Sequence, residues 1–321
     1  MSTNKRAEAL AHVEKAEKCL KTSFLKWNQD LDGAASEYIK AATCYKNARA
    51  LPEARDMYVK AAEIQHKMKS PFNAAKAFEQ AGLISKENKE LDLAVQFMER
   101  ASLMFQENGT PDTAALCLEK AAKMVESNSP ARAIELYKRA SDVADIEDRP
   151  RQSAEDIGKA ARLLTRLERY DEAVDCFKKE ISFYAAAENY AMIAKLVLGV
   201  ILIKLHVGDY VAADEFFRSA TKFPQFIESE EAGAVQELLT AYDDGDEEAA
   251  RRVLSLPLIK YMDNVFNKLA RGLEIPGGMR VGGAGGGAPN VTDSLGGGTH
   301  QAAPLTAPAQ LDDDEMEEGL C

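Results

Sequence analysis

Four histidines, His12, His66, His206 and His300, are the first candidates for chemistry, and they stand alone: none forms a pair at metal-ligand spacing with another. Five cysteines, Cys19, Cys44, Cys117, Cys176 and Cys321, include no CxxC pair and make an odd total, the usage expected of a reducing compartment. The first four read as small buried helix residues. No GxxxxGK[ST] phosphate loop occurs, and the glycines around Gly282 to Gly287 follow no strand and open no helix. The sequence therefore predicts neither an enzyme nor a bound cofactor or metal.

Binding chemistry remains, in three places. The segment Ser23 to Gly33 holds the only tryptophan, and Phe24, Leu25 and Trp27 stand there beside polar turn formers. Such a loop suits a bilayer interface or a partner groove, or it folds back onto the first helical hairpin. The bases Lys159, Arg162, Arg166 and Arg169 are spaced by three, four and three residues, which keeps them on one helix face, and Arg132, Lys138 and Arg139 add charge nearby. That stripe is either a solvated face or a row of cations offered to a long acidic partner. Finally, Leu311 to Cys321 carries Asp312, Asp313, Asp314, Glu315, Glu317 and Glu318 with apolar Met316 and Leu320. This tail either solubilises the chain or docks on a basic partner.

The elements that must position these features are helices. Small, large and small residues recur at i, i+4 and i+7: Ala34, Tyr38, Ala41; Ala54, Tyr58, Ala61; Ala74, Phe78, Ala81; Ala94, Met98, Ala101; Ala114, Leu118, Ala121. Their centres are twenty residues apart. The frame continues through Ala133, Tyr137, Ala140, then Ala154, Gly158, Ala161, and less regularly beyond, drifting by about one residue per step. Each triplet is one face of a helix, with small residues where a neighbour approaches. Turn signals such as Leu51-Pro52, Ser70-Pro71 and Arg149-Pro150 separate the triplets. The predicted fold is all-α: a tetratricopeptide-like right-handed superhelical array of antiparallel hairpins over 1–190, then a C-terminal helical bundle over 191–275. A disordered Gly/Ala/Pro-rich linker over 276–310 and an acidic tail over 311–321 complete the chain.

Charge and hydropathy exclude other classes. The formal net charge is −12, and from Pro276 onward one base, Arg280, faces seven acids, so nucleic acid is not an expected partner. The longest uncharged apolar run, Leu196 to Ile203, is too short to cross a bilayer.

The twenty-residue frame, the phrase Glu168-Arg-Tyr-Asp-Glu-Ala173, the apolar loop Phe24 to Trp27 and the acidic C-terminus with penultimate Leu320 together resemble the soluble attachment proteins of the N-ethylmaleimide-sensitive factor, most closely the gamma type. The resemblance covers nearly all of residues 1–275. It implies a cytoplasmic adaptor, peripherally associated with membranes, that lies along a SNARE four-helix bundle and recruits the hexameric ATPase that pulls the bundle apart. By that resemblance Phe24, Leu25 and Trp27 attach to the membrane, and Arg132 and Lys159, with Arg162 and Arg166, meet the SNARE bundle. Asp312, Asp313, Asp314, Glu315 and Leu320 would meet the ATPase. Where the alpha type is basic, this sequence has Glu155, Glu188 and Glu230. The competing expectation is a tetratricopeptide-like co-chaperone or scaffold that binds extended peptides.

Overall fold

A computed structural model describes residues 2–22 and 28–276. Its helices are α1 (Ser2–Leu20), α2 (Leu31–Asn47), α3 (Leu51–Lys67), α4 (Pro71–Glu87), α5 (Leu91–Glu107), α6 (Pro111–Val125), α7 (Pro130–Ile146), α8 (Pro150–Arg166), α9 (Tyr170–Ala186) and α10 (Tyr190–His206). The chain continues through α11 (Tyr210–Ala220), α12 (Glu230–Asp244), α13 (Glu247–Leu254), α14 (Pro257–Lys260) and α15 (Asn264–Arg271). No strand occurs among the described residues, which belong to one compact unit. None of the described helices is long and apolar enough to cross a membrane.

The period comes from the turn. From α2 onward most helices run for 17 residues, and three residues link each to the next. After α2, the Arg49 N–H donates to the Lys46 carbonyl and the Ala50 N–H to the Tyr45 carbonyl, the paired bonds of a Schellman motif. Ala50 is at once the closing residue of that motif and the N-cap of α3. The same turn recurs with a left-handed residue at Lys69, Lys89, Gly109, Asp148, Glu168, Glu188 and Gly208. Proline as the first helical residue of α4, α6, α7 and α8 fixes the entry angle without losing an intrahelical bond.

One turn differs. Between α6 and α7 no residue is left-handed, the Ser129 N–H returns to the Val125 carbonyl, and α6 has 15 residues. The step from Pro111 to Pro130 is consequently nineteen, and every other step from Leu31 to Tyr210 is twenty. This corrects the sequence frame at α8. Counted from the helix start, the residues matching Ala133, Tyr137 and Ala140 are Ser153, Ile157 and Ala160, not Ala154, Gly158 and Ala161. The drift inferred from the triplets is a single deletion.

Packing follows the frame. Ala34, Ala54, Ala74, Ala94, Ala114 and Ala133 are fully buried, as are Ala41, Ala61, Ala81, Ala101, Ala121 and Ala140, so neighbouring helices approach over methyl groups. From α1 to α9 each helix packs on the next, and α10 breaks that pattern by touching α9, α11, α12 and α15. Its apolar sequence has no polar face because neighbours surround it: Ile193 through Leu205 are nearly all buried.

Candidate interaction surface

The tenth residue of each repeat helix carries a regularity absent from the apolar triplets. Lys40, Lys60, Gln80, Arg100, Lys120, Arg139, Lys159 and Lys179 occupy it from α2 to α9. The ninth residue is glutamate in α4, α5 and α6, and each of these acids meets the base two helices on. Lys120 bonds Glu79 at 2.7 Å, Lys159 bonds Glu119 at 2.8 Å, and Arg139 bonds Glu99. An ion-pair ladder thus ties α4 to α6 to α8, and α5 to α7.

Lys40 pairs with Glu37 of its own helix at 2.6 Å, and three further bases of this series stand outside the ladder, all on odd-numbered helices. The Lys60 ammonium sits 5.5 Å over the Tyr38 ring and the Arg100 guanidinium 4.4 Å over Phe78. Lys179 has no ion-pair partner among the described residues, because the matching residue two helices back is Lys138. Aromatic faces leave the cations of Lys60 and Arg100 uncancelled, so α3, α5 and α9 each place at this position a cation without a carboxylate partner. Sequence inspection found Lys138 and Arg139 but not Lys60, Arg100 and Lys179, whose signal was their common place in the frame.

The α8 cations are neutralised differently. Asp156, fully buried, bonds Lys159 at 2.9 Å. Burial pushes the Asp156 carboxyl up to about 6 against the pull of Lys159, and its Oδ2 has no hydrogen-bond partner. Arg162, only 23% exposed, reaches both carboxylate oxygens of buried Glu180 on α9 at 3.3 Å and also bonds Asp263, the N-cap of α15. Burial raises Glu180 to about 7 even with Arg162 beside it. Glu119 is itself partly buried, yet Lys159 and Lys123 hold its carboxyl below the ordinary range. Arg166, 53% exposed, bonds Glu126 at 2.7 Å, and that carboxylate also accepts from the Tyr137 hydroxyl. Lys159 and Arg162 are therefore structural cations, whereas Arg166 keeps an open side.

Arg132 belongs elsewhere. It bonds Asp92 at 3.4 Å and Glu99 at 3.3 Å on α5, so the structure groups Lys159, Arg162 and Arg166 and sets Arg132 with the odd-numbered helices. Arg169 is also off the stripe: α8 ends at Arg166, the chain turns left-handed at Glu168, and Arg169 caps α9 while pairing with Glu172.

A cleft of about 750 Å³ opens between α8 and α15, lined by Arg162, Arg166, Tyr170, His206, Asp263 and Lys268. Glu155 and Glu188 share a second cleft, of about 530 Å³, with Arg151. The predicted loop residues Phe24, Leu25 and Trp27 lie outside the described residues. So do the linker and the tail with Asp312, Asp313, Asp314, Glu315 and Leu320.

Comparison with known proteins places these features in context. Residues 7–255 match the family model described as "Soluble NSF attachment protein, SNAP". The chain is 28% identical over 275 residues to the gamma-soluble NSF attachment protein of Dictyostelium discoideum, covering 86% of this chain and 85% of that one. It is 28% identical over 145 residues to the Arabidopsis thaliana gamma-soluble NSF attachment protein, covering 45% of this chain and 50% of the other. Among solved structures, the signal transduction ATPase with a tetratricopeptide repeat sensor from Pyrococcus horikoshii aligns at 15% identity and a TM-score of 0.41. That alignment covers 84% of this chain and 43% of the other.

Proposed function

Because the chain belongs to the soluble NSF attachment protein family, we propose that it is an adaptor that binds SNARE complexes and recruits and stimulates the NSF ATPase for their disassembly in membrane trafficking. It supplies grip and performs no catalysis. The observation that carries this reading is the run of bases at one repeat position. A four-helix bundle is long and rod-like, and an array presenting one cation per alternate helix matches an acidic rod along its length. Lys60, Arg100 and Lys179 are the members of that run without acidic partners.

In this reading Arg132 and Arg166 extend the contact at the edges of α7 and α8. Lys159 and Arg162 serve it chiefly by holding α8 in place, since both are engaged by buried carboxylates. Phe24, Leu25 and Trp27 attach the protein peripherally to the membrane from the cytoplasmic side. Asp312, Asp313, Asp314 and Glu315 attract the ATPase, and Leu320 seats in an apolar pocket on it.

The test is charge reversal at Lys60, Arg100 and Lys179 together. SNARE-bundle affinity falls most at low ionic strength, because exposed charges are screened as salt rises, while the melting temperature holds. Unchanged binding at low salt would show that these cations are a solvated surface and would remove the basis of the reading.

A further inference from the structure

The α1–α2 hairpin gathers three side chains of metal-ligating type that its sequence keeps apart. Glu8 and His12 lie one turn apart on α1, and Cys44 faces them from α2. A Glu8 carboxylate oxygen, a His12 ring nitrogen and the Cys44 Sγ all lie within 4.8 Å of one another. A tetrahedral zinc ion with bonds of about 2.0–2.3 Å separates its ligand atoms by roughly 3.3–3.8 Å. Rotamer adjustments of an ångström or less close the cluster to that size.

A second feature orients the histidine. Glu37 on α2 lies 2.7 Å from His12 Nδ1, and Lys40 donates to the other Glu37 oxygen at 2.6 Å. A carboxylate bonded to Nδ1 fixes the tautomer that leaves the Nε2 lone pair free, the arrangement typical of metal-bound histidine. Glu37 is itself held by an ammonium, so it is already committed as the outer partner.

We propose that Glu8, His12 and Cys44 form a zinc site of three protein ligands, backed by Glu37, with its fourth position open to water. Glu8 pairs with Lys5 at 3.0 Å, a contact that the metal would replace, and one carboxylate with one thiolate then match the charge of Zn²⁺. Binding breaks the Cys44 S–H bond, and the proton passes to solvent. The site would pin α1, which packs chiefly on α2, to the rest of the array. The connection between these two helices carries Phe24, Leu25 and Trp27, so the metal would steady the hairpin bearing that loop. The inference stands independently of the adaptor reading.

The experiment titrates the full-length protein with Co²⁺ as a spectroscopic probe, then displaces it with Zn²⁺. One equivalent per chain gives a thiolate-to-cobalt charge-transfer band that Zn²⁺ abolishes. Cys44→Ser eliminates the band, and Glu37→Gln weakens affinity about tenfold, the usual cost of losing an outer carboxylate. Alkylation of the unaltered protein, mapped by peptide mass spectrometry, provides a readout that needs no variant: Zn²⁺ slows modification of Cys44 by occupying its sulfur. A band that survives Cys44→Ser, or a Cys44 alkylation rate indifferent to Zn²⁺, overturns the proposal.

Discussion

Helices α2–α7 and helices α8–α15 come to differ at the same repeat position. In the first group the tenth residue is a base everywhere but at Gln80, paired with a glutamate or laid on an aromatic ring. In the second group Lys159 and Lys179 keep the base in α8 and α9, whereas in α10 the corresponding residue is Gly199, covered by Phe266 of α15. Phe266 also lies 5.3 Å from Phe177, ring centre to ring centre, so α15 closes over α9 and α10. Where the array is open the position is charged; where another helix docks it is reduced to a hydrogen. Polar groups follow suit: the ion-paired acids of α2–α7 stay partly exposed, whereas Asp156 and Glu180 beside the α8 cations are buried.

The largest expected contrast sets Arg162 against Arg139. Arg162→Ala leaves buried Glu180 without its counter-charge and releases Asp263 from α8. Removing one partner of a buried pair costs about 3–5 kcal/mol. Arg139→Ala breaks an exposed rung and costs about 1 kcal/mol or less. Urea denaturation of both variants measures the difference; equal losses would dissolve the distinction between the two regions.

Gly199→Ala comes next. Its new methyl would meet the Phe266 ring at 2.5 Å, and overpacking of this kind costs about 1–3 kcal/mol. Hydrogen exchange should quicken first in α15. Gly233→Ala, where nothing lies within 4 Å of the added methyl, provides the matched control and leaves exchange in α15 unchanged.

A smaller effect appears in the pH dependence. Glu180 rises from 4.5 to about 7 and Asp156 from 3.8 to about 6, so the folded state holds protons that the unfolded chain has released. Stability contributed by these groups is therefore fullest below about pH 4 and declines as pH climbs toward 7. Melting temperatures between pH 5 and 7.5 should show a downward component that Glu180→Gln flattens. Reversing the charges of half-buried Glu99 and exposed Arg139 together should leave the slope untouched.

The smallest effect belongs to the turns. Lys69, Lys89 and Glu168 adopt φ of 56°, 62° and 59°, a conformation that costs an L-residue roughly 1 kcal/mol. Lys69→Gly and Glu168→Gly should each stabilise by about 0.5 kcal/mol after the greater unfolded-chain freedom of glycine is subtracted. Calorimetric midpoints would register the rise.

Much of this architecture could be read from residue types. Alanine at i and i+7 around a bulky residue announced the helix faces and their close approach, and proline announced helix starts. The left-handed turns were hidden, because lysine, glutamate, arginine and aspartate fill most of them and advertise no positive φ. For the same reason the one shortened repeat, at α6, looked like gradual drift. Spacing placed Lys159, Arg162 and Arg166 on one helix, as α8 has them, but also extended that stripe to Arg169, which caps α9. It could not reveal that Asp156, Glu180 and Asp263 engage two of them, since Asp263 is 101 residues from Arg162. The cluster of Glu8, His12 and Cys44 escaped a scan for paired histidines because its third ligand comes from another helix.

The three-residue turn, whose last residue already belongs to the next helix, has a mechanical consequence. A chain that carries load through loops can first pay out slack. Between α2 and α10 these junctions hold almost none, and ladder rungs strap alternate helices side by side. Tension applied along the array must therefore shear helix against helix, engaging many alanine-lined seams at once before any segment lengthens. A body built this way transmits a pull with little stretch, as a strap does and a spring does not.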